Sequence, residues 1–289
     1  MRGYFSIVAA SVLWGTMGIL AKFAYAYGIQ PETLIALRLI VGFVTLSVAL
    51  LLFGRGSLRA QRSDFLVLLG FGVFGVMLQR VSFFYAVSLT TATVAAILFY
   101  TYPVFVTIFA WFFFKEKITF RDLLAIALTF MGAALVVRVY DSASLRVNLV
   151  GVLWGLASSF LFVVYFLIAK RLRSRYASWT LTLYGDGIGA LVLSPVVAFS
   201  FSEIVGFPSQ LWVLILAIAW FPSLLAYLLY SYGVKFVKAS KGSILSVIEP
   251  LSAAAFSTVF IGEQLEALQI LGVAFALIGV ILLFRRSKA

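Results

Sequence analysis

An internal repeat divides the chain into two similar halves. The motif Val12-Leu13-Trp14-Gly15 returns 140 positions later as Val152-Leu153-Trp154-Gly155. Other residues return unchanged 147 positions later: Tyr85, Ile97, Leu98, Pro103, Glu116 and Gly132 recur as Tyr232, Ile244, Leu245, Pro250, Glu263 and Gly279. One insertion of seven residues, in the basic loop around 170–176, accounts for the difference between the two offsets. We therefore predict two domains of the same fold, residues 1–140 and residues 141–289.

Both halves are strongly apolar. The chain is 64% hydrophobic and 11% charged, with a mean hydropathy of +1.13, and this composition excludes a soluble globular protein. A transmembrane helix needs about 20 mainly apolar residues. Ten such segments cover residues 3–25, 31–53, 64–86, 91–114, 121–138, 148–170, 178–201, 210–233, 241–262 and 266–284. We predict an all-α integral membrane protein with ten transmembrane helices. Because each half holds an odd number of helices, the two five-helix repeats have inverted topology.

The distribution of basic residues indicates the orientation in the membrane. The net charge is +12, and seventeen of the 22 basic residues lie in alternate linkers and at the two ends of the chain. Lys and Arg accumulate in cytoplasmic loops, so we expect a multi-pass protein of the cell inner membrane with both termini in the cytoplasm. Anionic lipid headgroups are the natural partner of these charges, and we expect no nucleic-acid binding.

Side chains that enzymes use most often are missing. The chain contains no histidine and no cysteine, so imidazole bases and imidazole or thiolate metal ligands are absent. No predicted span holds a close pair of carboxylates. We therefore expect neither an enzyme nor a cofactor or metal site.

The order of these motifs resembles the drug/metabolite transporter superfamily, and in particular its EamA-type branch. The resemblance covers essentially the whole chain. Its features are Trp-Gly in the first helix of each half, Ala36-Leu37-Arg38-Leu39 in helix two, proline midway through helices four and nine, Glu116 and Glu263 at the ends of those helices, and glycine-rich helices five and ten. The resemblance implies a small-solute carrier that works by alternating access, with a cavity lined by helices one, three, four, six, eight and nine. Many members of the family export amino acids or similar metabolites.

Two prolines mark the expected centre of the carrier. Glu249 precedes Pro250 in helix nine, and its repeat counterpart Tyr102 precedes Pro103 in helix four. A proline inside a helix removes one hydrogen bond, and a membrane tolerates the freed backbone where protein or water satisfies it. We predict that Pro103 and Pro250 form a hinge or gate beside a binding site. In the alternative interpretation the prolines shape packing only, and Glu249 pairs with a polar neighbour.

Three more ionisable residues lie within predicted spans, where such a group costs roughly 2.5–3.5 kcal/mol and usually faces a cavity or a partner. Arg80 follows Gln79 in helix three and corresponds to Tyr227 in the second repeat. Facing inward, its guanidinium suits a carboxylate or phosphate; alternatively it reaches outward to the headgroups. For Arg38 and Asp186 we expect structural hydrogen bonds or ion pairs, with proton coupling as the alternative for Asp186.

Aromatic side chains near mid-membrane on the implied cavity helices suggest the chemistry of the solute. They are Trp14, Tyr100, Tyr102, Phe162, Tyr165, Trp220 and Tyr227. Aromatic faces with a few charges suit an amphipathic or cationic organic solute, although core packing explains any single one of them.

The sequence thus predicts a secondary transporter, an exporter of a small organic metabolite such as an amino acid. The predicted substrate-binding residues are Trp14, Gln79, Arg80, Tyr100, Tyr102, Tyr227 and Glu249. Glu249 would meet an ammonium group or carry a proton, and Arg80 would meet a carboxylate, so protons are a candidate second solute. A phosphate-sugar or nucleotide-sugar exchanger, which should need several cavity cations, and a receptor or scaffold that does not transport remain the alternatives. Substrate identity, direction, coupling and oligomeric state stay open at this point.

Overall fold

The computed structural model describes residues 2–53, 60–114, 118–136, 138, 140–233, 236–237 and 245–284. These residues form ten long helical segments joined by short linkers, one of which contains the short helix Phe201–Val205. The first five are α1 (Arg2–Gly15 continued by Met17–Tyr25), α2 (Pro31–Phe53), α3 (Arg62–Leu89), α4 (Ala92–Phe99 continued by Tyr102–Phe114) and α5 (Phe120–Val136). The second five are α6 (Ser142–Leu172), α7 (Ser178–Phe199), α8 (Ser209–Gly233), α9 (Ile248–Ile261) and α10 (Ala267–Phe284).

Most of these helices can cross a membrane unaided. Within the described ranges, seven are long and apolar enough to span: α1, α2, α3, α4, α6, α7 and α8. The helices α9 and α10 are shorter and apolar, and α5 has 17 residues. The long apolar helices account for the many exposed large hydrophobic side chains, such as Phe53 and Phe199, both 90% exposed, because lipid rather than water covers such surfaces.

One helix start lies well before its predicted position, and another lies outside the described residues. Helix α6 begins at Ser142, six residues before the predicted start at 148, because the polar stretch Ser142–Asn148 continues the helix beyond its apolar part. The described part of α9 begins at Ile248, and the predicted start at 241 lies outside the described residues, as do Glu116 and Ile244 of the repeat. Ten of the basic residues that predicted the orientation also lie outside them: Arg55, Arg59, Lys115, Lys117, Lys235, Lys238, Lys241, Arg285, Arg286 and Lys288.

Helix packing follows the internal repeat. Helix α1 packs against α8 and α9, and its counterpart α6 packs against α3 and α4, the counterparts of α8 and α9. Three further contacts pair a helix with its own counterpart: α2 with α7, α4 with α9, and α5 with α10. This is the pattern that results when two repeats exchange by a two-fold rotation, and it places the junction between the repeats at the centre of the bundle.

Contacts at the helix ends define two ends of the bundle. At one, called the basic end, the start of α3 meets the end of α6, where Asp64 accepts hydrogen bonds from Arg175 (2.9 Å) and Tyr176 (2.7 Å). At the other, called the opposite end, Glu263 accepts from the backbone N–H of Ala92 and the hydroxyl of Thr93, both at 3.3 Å. Glu263 thus satisfies one free backbone N–H at the start of α4, where a negative charge is also favoured by the helix dipole.

Candidate functional site

Helices α4 and α9 are both interrupted near the centre of the bundle. In α4 the interruption falls at Tyr100 and Thr101, before the segment that begins at Tyr102. In α9 a turn at Ser246 and Val247 precedes the helix that begins at Ile248. Tyr100 and Val247 are equivalent in the repeat. The two prolines lie in the first turn after each interruption, where a missing N–H breaks no bond within that segment.

A side chain of one interruption satisfies the backbone of the other. Because Pro250 has no N–H, the carbonyl of Ser246 cannot accept the regular bond from four residues later, and it accepts from the backbone N–H of Glu249 at 3.0 Å. The hydroxyl of Tyr100, which is 3% exposed, donates to this carbonyl at 2.6 Å and also lies 2.9 Å from Oε2 of Glu249. The two repeats are therefore connected through a tyrosine, a backbone carbonyl and a carboxylate.

Eight aromatic side chains surround this point, and we call them the central aromatic cluster. Its members are Trp14 of α1; Phe99, Tyr100 and Tyr102 of α4; Phe162 and Tyr165 of α6; and Tyr227 and Tyr230 of α8. All except Tyr100 are half-buried, so their faces remain partly accessible. The rings of Tyr102 and Phe162 lie 4.6 Å apart, and Phe162 stacks on Tyr165 at 5.2 Å. The cluster combines side chains from both repeats and borders Glu249.

The other charged residues within the spans are held together beside α7. Arg80 of α3 forms an ion pair with Asp186 of α7, and their side chains are 22% and 6% exposed. Arg38 of α2 donates from Nε and Nη2 to the hydroxyl of Ser223, at 3.0 and 2.7 Å, and lies over the ring of Phe84 at 5.7 Å. The structure thus separates the predicted site into Glu249 with the aromatic cluster and a group of three charges that bind one another or polar neighbours.

Two further predicted residues lie apart from the cluster. Gln79 is half-buried on α3, next to Arg80. Trp220 is 43% exposed and donates from its indole N–H to the hydroxyl of Thr45 at 3.1 Å, so it faces α2 rather than the cluster. It begins a π-helical stretch, Trp220–Leu225, which rotates the following residues of α8 relative to a regular helix.

Four residues in or beside the cluster were not predicted from the sequence. Tyr230 packs on Trp14 at 5.2 Å, Phe99 packs on Phe162 at 5.1 Å, and the carbonyl of Ser246 accepts from Tyr100. Arg173, at the basic end, donates from Nη2 to the hydroxyl of Tyr227 at 3.3 Å. Tyr230 follows Tyr227 at helical spacing and was recognisable for that reason. Arg173 resembles its basic neighbours in the loop, and nothing in the sequence distinguishes it.

Comparisons with known proteins place the chain in a family. The family profile described as the EamA-like transporter family matches residues 1–138 and again residues 149–285. An uncharacterized transporter of Archaeoglobus fulgidus is 31% identical over 283 residues, which cover 98% of this chain and 96% of that protein. An uncharacterized inner membrane transporter of Salmonella typhimurium, YicL, is 28% identical over 99% of this chain and 96% of its own length.

A crystal structure of another protein shares the fold. It covers 99% of both chains with a TM-score of 0.65, at 19% sequence identity. The prediction of an all-α membrane protein built from two repeats is confirmed, and the predicted family resemblance is confirmed as well. The molecule is a multi-pass membrane transporter rather than an enzyme, and its family implies a small-molecule substrate. Because the profile matches both halves of the sequence, this chain belongs to the EamA-like transporter family.

Proposed function

We propose that this transporter exports a small amphipathic solute with a protonated amine, and that an amino acid is the leading example. The observation that carries the proposal is the position of Glu249. Its carboxylate borders the central aromatic cluster at the interruption of α9, and no cation among the described residues forms an ion pair with it. An ammonium group would supply the missing charge, while the aromatic faces bind the cation and the apolar part of the solute.

Hydrogen-bond counting supports a proton as the second solute. The hydroxyl of Tyr100 has one hydrogen but contacts two acceptors, the carbonyl of Ser246 and the carboxylate of Glu249. Both contacts are full hydrogen bonds at the same time only when the carboxyl of Glu249 carries a proton and donates to the tyrosine. We propose that a substrate ammonium replaces this proton, so that one proton enters as one solute leaves. The solute and the proton would then use the same carboxylate alternately.

Alternating access is the proposed mechanism, and the inverted repeat supports it because two related packings become available to one chain. The interruptions at Tyr100–Thr101 and Ser246–Val247 lie where the repeats meet, so bending there would change access to Glu249. We also propose that the protein lies in a cell inner membrane, with both termini in the cytoplasm and the basic end facing the cytoplasm.

Binding of matched ligands to Glu249→Gln tests the proposal. Phenethylamine carries a ring and an ammonium, 3-phenylpropionate carries a ring and a carboxylate, and L-phenylalanine carries all three groups. In lipid nanodiscs we expect Glu249→Gln to weaken phenethylamine binding at least ~10-fold, equivalent to about 1.4 kcal/mol, because the amide keeps the size and polarity but not the charge. Binding of 3-phenylpropionate should not weaken.

The matched control is Glu203→Gln, which removes an exposed carboxylate from the short helix Phe201–Val205, and it should leave all three affinities unchanged. Unaltered phenethylamine affinity in Glu249→Gln would remove the proposed role of Glu249. Binding of phosphorylated solutes such as glucose 6-phosphate, without binding of the amines, would replace the proposal with a phosphate exchanger.

A further inference from the structure

We propose that Arg173 binds the carboxylate of the transported solute at the basic end of the central aromatic cluster. The inference rests on the proposed function and deepens it, because it makes a zwitterion the preferred substrate over a simple amine. It assigns to a loop residue the role that the sequence suggested for Arg80.

Arg173 is held where it can reach into the bundle. It directly follows Leu172, the last residue of α6, and its backbone N–H donates to the carbonyl of Ala169 at 2.9 Å, which continues the last turn of the helix. From this position Nη2 donates to the hydroxyl of Tyr227 at 3.3 Å. The guanidinium therefore turns back toward α8 and the aromatic cluster, although the residue belongs to the exposed loop.

The guanidinium of Arg173 keeps donors for a ligand. An arginine has five N–H donors in a planar fork that matches a carboxylate, and one contact to Tyr227 uses one of them. Among the residues that the structure describes, no carboxylate lies within ion-pair distance of Arg173. Arg175, two residues later, is bound by Asp64 at 2.9 Å, and Arg80 is bound by Asp186. A carboxylate at Arg173 would therefore displace no protein partner.

A continuous series of contacts connects Arg173 with Glu249. Tyr227 shares a hydrogen bond of 3.1 Å with Tyr165, and stacking on Phe162 continues toward α4. The series then passes from Phe162 to Tyr102 (4.6 Å), to Tyr100 (5.9 Å) and to Oε2 of Glu249 (2.9 Å). The two ends of one aromatic surface thus carry opposite charges, and a zwitterion, whose ammonium and carboxylate share one carbon, would meet the two ends in turn.

The proposal also fits loading from the cytoplasm. Arg173 lies at the basic end, so a solute entering from that side meets the guanidinium before it reaches Glu249. A bidentate guanidinium–carboxylate contact orients the solute, with its ammonium free to move toward the deeper carboxylate. Arg80 remains in its ion pair throughout.

Two ligands that differ by one carboxylate test the inference. L-phenylalanine and phenethylamine share the ring and the ammonium, and their Kd values are measured for the full-length protein in nanodiscs. We expect the wild type to prefer L-phenylalanine at least ~10-fold and Arg173→Ala to abolish this preference. Arg171→Ala removes the same charge from an exposed position in the last turn of α6, without a contact to Tyr227, and it should retain the preference.

The affinity for phenethylamine serves as the internal check on folding, since Arg173 does not contact an ammonium. If Arg173→Ala loses phenethylamine binding, Arg173→Gln replaces it, because the amide can still donate to Tyr227. An undiminished preference in the Arg173 variant, or no preference in the wild type, overturns the role of Arg173 and leaves the proposed function intact. Absence of binding by both ligands to the wild type, with Glu249→Gln unchanged in every assay, removes the proposed function and this inference with it.

Discussion

At the scale of single residues, the four ionisable side chains singled out within the spans have different partners. Asp186 forms an ion pair with Arg80. Arg38 contacts the hydroxyl of Ser223 and the ring of Phe84, and Glu249 contacts the phenol of Tyr100. Gly42 makes room for this arrangement, because a Cβ at that position would lie 3.0 Å from Oδ2 of Asp186. Of the two carboxylates, Asp186 has an arginine as its partner and Glu249 has only a phenol, which is why Glu249 is the proposed ligand.

The ion pair between Arg80 and Asp186 leads to a stability prediction. Removing one partner of a buried pair leaves a charge without compensation and typically costs about 3–5 kcal/mol; the 22% exposure of Arg80 places the expected loss toward the lower value. We expect Asp186→Ala to lower the Tm of the purified protein. The double variant Arg80→Met/Asp186→Leu should recover most of the loss, because both charges are gone.

Ligand binding separates this structural role from the one that the sequence suggested. If the Arg80→Met/Asp186→Leu variant folds, the ratio of its Kd values for L-phenylalanine and phenethylamine should match the wild-type ratio. A loss of carboxylate preference in this variant, with normal Tm, would instead return the carboxylate-binding role to Arg80.

At the scale of helices, the features that could be predicted from the sequence are those that follow from backbone chemistry. Proline has no N–H, so the interruptions of α4 and α9 could be predicted from Pro103 and Pro250 alone. The π-helical stretches Phe71–Leu78 and Trp220–Leu225 could not, because no residue type requires them. They precede Arg80 and Tyr227, which are equivalent in the repeat, and they rotate both side chains. Arg80 therefore meets Asp186 because of the packing between helices, and the helical period of the sequence does not predict this pair.

The contact between α5 and α10 depends on glycine. A Cβ at Gly132 would meet the backbone N of Ala276 and would lie 2.5 Å from the carbonyl of Gly272. At Gly279, the repeat counterpart of Gly132, a Cβ would lie 2.6 Å from the carbonyl of Ala125. These glycines allow the two backbones to approach closely, as small residues do in membrane helix pairs.

Alanine substitution tests this close approach. We expect Gly132→Ala to separate α5 from α10 and to lower the Tm, with a loss of roughly 1–3 kcal/mol for an overpacked site. Gly70→Ala is the matched control within a helix, since nothing lies within 4 Å of a Cβ there. The control should be neutral, or stabilise by roughly 0.5–1 kcal/mol through helix propensity. Equal effects of the two substitutions would show that glycine serves no packing role in this pair.

At the scale of the whole molecule, the two ends of the repeat junction differ. At the opposite end, the second segment of α1 packs against α3 and α4, and the hydroxyl of Tyr25 donates to the backbone carbonyl of Phe84 at 3.0 Å. The counterpart of Tyr25 is Tyr165, at the same offset of 140 as the Trp-Gly motif. The hydroxyl of Tyr165 contacts the side-chain hydroxyl of Tyr227 rather than a backbone carbonyl, and the described parts of α6 and α8 do not pack closely together. The structure is thus closed at the opposite end and less closely packed at the basic end.

This asymmetry, together with the proposed orientation, predicts which positions react with a thiol reagent. The chain has no cysteine, so a maleimide labels this protein only at a cysteine that has been introduced. In cells treated with a membrane-impermeant maleimide, Tyr27→Cys, in the linker at the opposite end, should react, and Ser174→Cys, at the basic end, should react only after the membrane is opened. Both residues are exposed in the structure, so a difference between them reports the side of the membrane. Reaction of Ser174→Cys in intact cells would place the basic end outside and reverse the proposed direction of loading.

The same reagent tests access to the site. In opened membranes we expect Tyr165→Cys to react faster than Tyr25→Cys, because α3 and α4 pack on the segment that carries Tyr25, whereas α8 does not pack closely on the part of α6 that carries Tyr165. L-phenylalanine should slow the reaction of Tyr165→Cys, since Tyr165 belongs to the proposed binding surface. If alternating access exchanges the two packings, conditions that favour the other state should reverse the order of reactivity. A fixed order under every gradient of solute and protons would mean that the two repeats do not exchange their packings.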